Sequence, residues 1–315
     1  MMAIGNILFL FLLVVGTLVS VSSPNWILCW AGMEISFLGV IPLLFVGTGY
    51  MSLNKEAGMK YFCIQAMGSA LLLLGGLLLY QELVVSLGLW VILLGLLLKL
   101  GIFPGHFWVP SVASGVSWAA LFLLLTWQKI PPLALMVNFI NIYTYMTGLF
   151  LLLGALSALV GALIGINSTQ VRVMLAASSV SHAGWMCIGA VFGGMWLYFL
   201  VYCFSLLFVL HFLYLRKDLF SALSIMSLSG LPPFIMFLGK WTLLVEAMMS
   251  SINPAILSVA IISTLFSLFF YLKFAYSFML TYMMENEKLQ MVMTNFWALP
   301  WVIMNFSGVI YILMV

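Results

Sequence analysis

Long apolar runs follow one another along almost the whole chain, separated by short clusters of turn residues and isolated charges, and no stretch alternates polar and apolar residues with period two. Runs of about 20 apolar residues have the length of a bilayer-crossing helix, and the missing alternation excludes a membrane β-barrel. With turn residues and charges as boundaries, the pattern predicts spans at residues 3–22, 25–47, 56–80, 86–109, 114–141, 146–166, 170–191, 194–216, 222–250, 254–282 and 295–314. The expected fold is all-α, a polytopic membrane protein of about eleven transmembrane helices. Spans four, five and nine contain internal Gly or Pro and are long enough to be broken or tilted.

Composition sharpens this. Of 315 residues, 66% are hydrophobic and 5% charged, and the mean hydropathy of +1.28 excludes a water-soluble globule. The net charge of +3 says less than the position of each charge, and no basic patch for nucleic acid exists. The four cysteines, Cys29, Cys63, Cys187 and Cys203, lie in apolar runs without CxxC spacing and read as buried small hydrophobes. Residues 1–33 carry no charge, which argues against a basic secretory leader or an Arg-rich transit peptide, so the first span is expected to be retained.

An odd number of spans puts the termini on opposite sides of the membrane. Loops on the amino-terminal side then hold Lys55, Arg172, Arg216, Lys217 and Lys288, whereas the opposite loops, near 23, 81–85, 142–145, 192 and 251–253, hold Glu82 and no lysine or arginine. By the positive-inside rule the amino terminus faces the cytoplasm or the mitochondrial matrix. Glu56 and Lys60 have the spacing of a helical ion pair near a helix end. Lys273, in the second half of span ten, is expected to snorkel or to meet a neighbouring subunit, and Glu246 is off the helical face of Lys240.

Four charges have no such exit to water. Glu34 in span two, Lys99 in span four, Lys129 in span five and Lys240 in span nine all fall near mid-membrane, at about the same depth. A lysine at a helix centre costs roughly 2.5–3.5 kcal/mol on insertion scales, and such residues mark ion or proton pathways, usually beside a partner. Lys99 also stands just before a helix break at Phe103-Pro104-Gly105, the combination found at midplane transporter sites. A row of ionisable groups in the membrane plane suits lateral charge transfer. The structural alternative is a cation pairing with a carboxylate to join two helices, with Glu34 the candidate partner of Lys99. The two readings coexist, because burial opposes a lysine's charge while a carboxylate beside it favours that charge.

Packed helices lie about 8–10 Å apart, beyond hydrogen-bond reach, so proton transfer along the row needs waters or polar side chains. Candidates are His106, Ser114, Ser117, Ser178, Ser179, Ser181 and His182, with a satisfied core role open for each histidine. His182 and His211 have the chemistry of axial haem ligands, but a two-haem site needs four histidines and the chain has 3. No phosphate-binding glycine fingerprint is present. GIFPGHFW at 101–108 and GLPPFIMF at 230–237 repeat a Gly–Pro break near a mid-depth lysine, five spans apart. A repeat of odd length is inverted in the membrane.

Several segments together resemble one family. NWILCWAGMEISFLGVIPLL (25–44), KYFCIQAMGSALLLL (60–74), KLGIFPGHFWVPSV (99–112), LLLTWQKIPPLAL (123–135), NSTQVRVMLAASSVSHAGWM (167–186) and LSGLPPFIMFLGKW (228–241) resemble the antiporter-like subunit 2 family of mitochondrial NADH:ubiquinone oxidoreductase, respiratory complex I, in its animal form. The resemblance implies two inverted five-helix repeats with two broken helices, at 1–142 and 143–282, followed by a loop and carboxy-terminal helix at 283–315. It implies three fewer amino-terminal helices than bacterial relatives have. It places Glu34, Lys99, Lys129 and Lys240 on a central proton-transfer axis, the same four that depth alone selects; His106 and His182 are relay candidates from their chemistry alone. A departure is Gly239, where the family has proline before the last lysine.

What the resemblance implies for function is a non-redox subunit taking part in proton translocation, driven by electron transfer from NADH to ubiquinone in other subunits. No cofactor or metal is expected on this chain; NADH, FMN, iron–sulfur clusters and ubiquinone belong to other subunits. The partners are then the other membrane-arm subunits and the lipid bilayer. The location is the mitochondrial inner membrane, with the amino terminus in the matrix and the carboxy terminus in the intermembrane space. A free-standing cation/proton antiporter and an inert scaffold are the rival readings. About eleven helices rather than fourteen, and the lack of long polar loops, favour the subunit over the antiporter.

Overall fold

The computed structural model describes residues 4–45, 51–81, 84–250, 254–286 and 300–305. In chain order the helices are α1 (Ile4–Ser22), α2 (Trp26–Phe45), α3 (Met51–Tyr80), α4 (Val85–Leu100), α5 (Trp108–Ala113), α6 (Trp118–Leu125), α7 (Ile130–Ile142), α8 (Thr147–Asn167), α9 (Val171–Phe192), α10 (Met195–Tyr214), α11 (Asp218–Ser229), α12 (Ile235–Met249) and α13 (Pro254–Asn286). Among the described residues there is no strand, and 8 helices are long and apolar enough to cross a membrane. Spans four and nine make up two more, each split into shorter helices. Of the expected last span only residues 300–305 are described, and they are helical; the rest of that span lies outside the described residues.

Lipid tails are as apolar as leucine, so helices in a bilayer are held by close van der Waals contact between small residues. Three helix pairs are built this way. A Cβ on Gly16 of α1 would meet the Ser36 backbone nitrogen of α2 at 2.3 Å, and one on Gly32 would meet that of Ser20 at 2.5 Å. Between α3 and α4, a Cβ on Gly75 would meet the Gly88 oxygen at 3.0 Å, and one on Gly95 the Gly68 oxygen at 3.0 Å. Between α8 and α9, a Cβ on Gly161 would meet the Ser181 nitrogen at 2.5 Å, and one on Gly184 the Gly154 oxygen at 2.4 Å. Any larger side chain at these six-fold crowded positions separates the pair.

The small-residue helix α9 becomes the centre of the bundle, with 89% of its spanning window buried against 22% for α1. Its serines would be unsatisfied there, but Ser178, Ser179 and Ser181 each donate to the carbonyl three residues earlier, at 2.7, 2.8 and 2.7 Å.

The two expected breaks are helix stops at left-handed glycines. α4 ends at Gly101 (φ 69°), where Gly101 N–H donates to Leu98 O at 3.3 Å and Ile102 N–H to Leu97 O at 3.0 Å, a Schellman turn. The Trp108 indole N–H then donates to Leu98 O at 2.9 Å and folds α5 back on the end of α4. α11 also ends at a left-handed glycine, Gly230 (φ 79°). Span five carries a milder interruption, a 3₁₀ turn at Trp127–Lys129 between α6 and α7. Its cause is local: Pro131 and Pro132 bring no N–H to the carbonyls of Trp127 and Gln128.

Three expectations need correction. α3 begins at Met51 rather than 56, which puts Lys55 and Glu56 inside the helix, and α13 runs to Asn286 rather than 282. Hydropathy marks where the bilayer ends, while backbone hydrogen bonding carries a helix beyond it. Within α3 the expected pair forms, with Lys60 Nζ 2.6 Å from Glu56 Oε1 and both side chains well exposed. Of the cysteines, Cys29 and Cys187 are buried and Cys203 is partly so, but Cys63 is exposed on the outer face of α3. In a bilayer the outward face is as apolar as the core, so an apolar run does not imply burial in protein.

Candidate functional site

Lys99 lies in the last turn of α4, where a cation faces the negative end of its own helix. Its Nζ is 3.4 Å from Glu34 Oε1 on α2, with the lysine side chain 5% and the glutamate side chain 24% exposed. Gly68 of α3 makes room for the lysine stem, since a Cβ there would sit 3.0 Å from Lys99 Cγ. From the same helix, Gln65 Nε2 donates to the Lys99 backbone oxygen at 3.4 Å. Next to the pair is a cavity of about 10 Å³, lined by Tyr61, Gln65, Lys99, Trp108, Gln128 and Lys129. That volume is close to the smallest that admits one water molecule, and it lies between Lys99 and Lys129.

Lys129 ends the 3₁₀ turn of span five and is buried. Its Nζ donates to Ser179 O of α9 at 2.9 Å and stands 5.7 Å from the ring centre of Tyr202. One turn further along α9 is His182, also buried, within electrostatic reach of both Lys129 and Lys240. Its Nδ1 is 2.8 Å from the Tyr198 hydroxyl of α10, and its Nε2 is 3.1 Å from the Tyr271 hydroxyl of α13. In a neutral imidazole, whichever nitrogen carries the proton donates to its tyrosine while the other accepts from its own. The ring is thus held in place in either tautomer, which is what a side chain passing a proton through itself requires.

Lys240 follows its break rather than preceding it. From α12 it reaches back to donate to Ser229 O at 2.7 Å, a carbonyl in the last turn of α11 that has no partner within its own helix. Gly230 is needed twice over: for its φ, and because a Cβ there would come 2.8 Å from Lys240 Nζ. Gly239 has a packing reason as well, since a Cβ at that position would lie 3.1 Å from Cδ2 of Tyr198, the residue that holds His182. Among the described residues the ion pairs are Glu56–Lys60 and Glu34–Lys99. Among the described residues Lys129 and Lys240 are thus buried lysines with no carboxylate partner, each donating to a backbone carbonyl, with the Tyr202 ring a further neighbour of Lys129.

Other candidates fall elsewhere. His106 is buried in the α4–α5 break between the rings of Phe103 and Phe107, at 5.9 and 4.1 Å, and its Nδ1 has no hydrogen-bond partner. Ser114 is exposed and donates to Ser111 O. Ser117 lines a different cavity, beside Arg172. Lys273 is exposed and donates to Ile166 O and Ser168 O, at 3.4 and 3.2 Å, around the end of α8. Glu246 is exposed, near Gly194 and away from Lys240's contacts. Sequence reasoning did not single out Gln65, Gln128, Tyr198 and Tyr271. The two glutamines carried a usable signal, as amides in the middle of apolar spans; the tyrosines did not, because an aromatic in a membrane helix is ordinary. Among the described residues no three His, Cys, Asp or Glu side chains gather as a metal centre.

A helical membrane bundle with stopped helices and buried lysines in series is the architecture of antiporter-type membrane subunits. Residues 23–218 match the family described as NADH:quinone oxidoreductase/Mrp antiporter, TM. The NADH-ubiquinone oxidoreductase chain 2 of Albinaria caerulea is 36% identical over 290 residues, spanning 92% of this chain and 93% of the relative. That of Anopheles gambiae is 36% identical over 335 residues, spanning 98% and 96%. The chain belongs to the NADH-ubiquinone oxidoreductase chain 2 family. Its fold is shared with a chain of respiratory complex I from Thermus thermophilus with bound Aureothin, at a TM-score of 0.78 and 21% identity, covering 99% of this chain and 78% of that one. A chain of the Mrp complex from Dietzia sp. DQ12-45-1b also matches at a TM-score of 0.78, with 17% identity over 84% of this chain and 59% of that one.

Proposed function

We propose that the chain is a non-redox core subunit of the membrane arm of respiratory complex I, and that it carries protons along Glu34, Lys99, Lys129, His182 and Lys240. The observation that carries this is a series of ionisable groups inside the bundle, each in contact with or within electrostatic reach of the next. Glu34 meets Lys99 at 3.4 Å, a cavity of water size separates Lys99 from Lys129, and the tyrosine-held His182 is within electrostatic reach of both Lys129 and Lys240. One water-sized cavity bridges Lys99 and Lys129, and His182, with a tyrosine hydroxyl on each ring nitrogen, supplies an imidazole within electrostatic reach of both Lys129 and Lys240.

The Glu34–Lys99 pair is the gate in this scheme. Separating an ion pair in surroundings of low polarity favours its neutralisation by proton transfer. A neighbouring subunit that pulls the pair apart, by charge or by movement, pushes a proton from Lys99 toward Lys129, which accepts it as a neutral amine after passing its own proton on toward Lys240. Electron transfer from NADH to ubiquinone takes place in other subunits, which hold the FMN and the iron–sulfur clusters, and reaches this chain only as that push. His106 has no place in the series as built.

We further propose that residues 1–142 and 143–282 are inverted repeats, with 283–315 a loop and closing helix. The support is that α1–α2 and α8–α9, five spans apart, share the same close small-residue contact, and that spans four and nine both stop at a left-handed glycine. The chain sits in the mitochondrial inner membrane with its amino terminus in the matrix, which rests on the five-to-zero placement of basic loop residues.

Two measurements test the function. Lys99→Met is expected to insert and assemble but to abolish proton pumping coupled to NADH oxidation; full pumping in the assembled variant sinks the relay. Extraction in mild detergent separates subunit from free antiporter. Migration within a very large NADH-oxidising assembly is the expected result, and an isolated, active cation/proton exchanger refutes the reading.

A further inference from the structure

A cavity of about 710 Å³ opens between α3, α6, α9 and α10, lined by Asn54, Trp118, Arg172, His211 and Arg216 together with an apolar wall. Arg216 also lines an adjoining cavity of about 440 Å³, shared with Asp218. None of these residues belongs to the proton series. The Arg172 guanidinium stands 4.7 Å from the Trp118 ring. Among the described residues neither arginine has a carboxylate partner, and Asp218 accepts a hydrogen bond from Thr281 Oγ1 at 3.0 Å. Arg172 lies in the first turn of α9 and Arg216 just past the end of α10, and both belong to the basic set that the charge pattern assigns to the amino-terminal side.

Arg216 also holds an unusual backbone position. It has φ 53°, with its N–H donating to Leu213 O at 3.3 Å and the Lys217 N–H to Phe212 O at 3.1 Å. This is the same Schellman turn that closes α4, where the left-handed residue is Gly101. Glycine makes that turn without strain, whereas a side chain there is disfavoured by steric contact with the backbone. The turn alone gives no reason for an arginine, and its side chain lines both cavities.

We propose that this cavity binds the phosphate group of an anionic phospholipid between Arg172 and Arg216. Guanidinium forks match phosphate oxygens bidentately, and basic pockets between helices on the positive side of a membrane suit lipid headgroups. The wall decides for a lipid over a soluble anion. It includes Phe122, Leu207, Leu210 and Leu213, and it runs on into Phe204 and Leu200, which with Leu207 form an exposed stripe at helical spacing along α10. Acyl chains can lie along that stripe while the phosphate stays between the arginines, and a free phosphate leaves the apolar wall bare. Exposed Tyr214 at the rim is the residue type of a headgroup boundary.

The test uses the intact complex, washed free of endogenous lipid in detergent and given photoactivatable phosphatidylglycerol or phosphatidylcholine in mixed micelles. Labelled peptides are mapped by mass spectrometry. Phosphatidylglycerol is expected to label the α10 segment about fivefold more than phosphatidylcholine. Arg216→Gly relaxes the turn, so it is expected to assemble with unchanged or higher thermal stability and yet lose most of that preference. Arg172→Gln is expected to lose it too, and the Arg172→Lys/Arg216→Lys variant to keep part of it. Equal labelling by the two lipids, or wild-type labelling of Arg216→Gly, overturns the proposal. Competition by inorganic phosphate at tens of millimolar, with no difference between the lipids, assigns the arginines to a free anion instead.

Discussion

The two halves of the chain each place a lysine at a helix break, and they compensate it differently. In the first half Lys99 precedes its break and meets a carboxylate, Glu34 Oε1, at 3.4 Å. In the second half Lys240 follows its break and meets a backbone carbonyl, Ser229 O, at 2.7 Å. Lys129, where the halves meet, also rests on a carbonyl, that of Ser179 at 2.9 Å. An ion pair holds charge on both of its members, so a proton leaves it only when the pair is disturbed. A carbonyl stabilises the protonated lysine without taking the proton, and it remains a satisfactory neighbour once the proton has gone. On the proposed path, the Glu34–Lys99 pair would gate, and the carbonyl-held Lys129 and Lys240 would conduct.

The largest effect follows from breaking the pair. Glu34→Gln leaves Lys99 buried without its anion, and removing one member of a buried ion pair costs about 3 kcal/mol at the low end of the measured range. The low end applies because Glu34 keeps a quarter of its side-chain surface exposed, at 24%. The assembled variant is expected to melt lower and to lose pumping. Glu34→Gln with Lys99→Met is expected to recover the melting temperature and not the pumping. A single variant as stable as the parent chain would mean that Lys99 is held by something other than this pair.

Lys240→Met sharpens the contrast, because it strands no anion. It leaves the Ser229 carbonyl with one contact fewer, at about 1–3 kcal/mol for a buried acceptor, and it removes a mid-membrane lysine that costs roughly 2.5–3.5 kcal/mol on insertion scales. These terms nearly cancel. Thermal stability is expected to stay close to that of the parent chain while proton uptake by reconstituted vesicles falls at least tenfold, by about 1.4 kcal/mol or more in barrier height. A drop in stability as large as that of Glu34→Gln removes the distinction between the halves.

How much of this was legible in the sequence depends on the kind of interaction. The spans and the two helix stops were legible because hydropathy and Gly–Pro chemistry are local. The Glu34–Lys99 pair was legible because two opposite charges at one depth in a bilayer have few other partners. What Lys129 and Lys240 rest on was not legible, since any residue supplies a carbonyl and only the fold decides which one is free. The early start of α3 escaped because apolarity and helicity end at different places. The hydroxyls of Tyr198 and Tyr271 escaped for a related reason: α10 and α13 carry many aromatics, and only packing against α9 selects the two that reach His182.

Those tyrosines give the next prediction. Tyr198→Phe and Tyr271→Phe each remove one hydrogen bond to the imidazole, worth about 1 kcal/mol, with little change in volume. Each is expected to assemble and to pump more slowly, and the double variant to pump far less than either, since the ring then loses its anchor on both sides. Parental pumping by the double variant would remove His182 from the path and leave Lys129 and Lys240 to be joined by water.

The smallest effect is the control for the whole comparison. Lys273 makes the same kind of contact as Lys240, lysine to carbonyl, at 3.4 Å to Ile166 O and 3.2 Å to Ser168 O. It does so on an exposed flank at the end of α8, where a cation near a helix terminus contributes about 0.3–1 kcal/mol. Lys273→Met is expected to lower the melting temperature slightly and to leave pumping unchanged. If pumping instead collapses as it does for Lys240→Met, contact with a carbonyl is not what separates a carrier from a cap. Burial beside His182 would then lose its place as the deciding feature, and the proton path would have to be redrawn to include the outer face of α13.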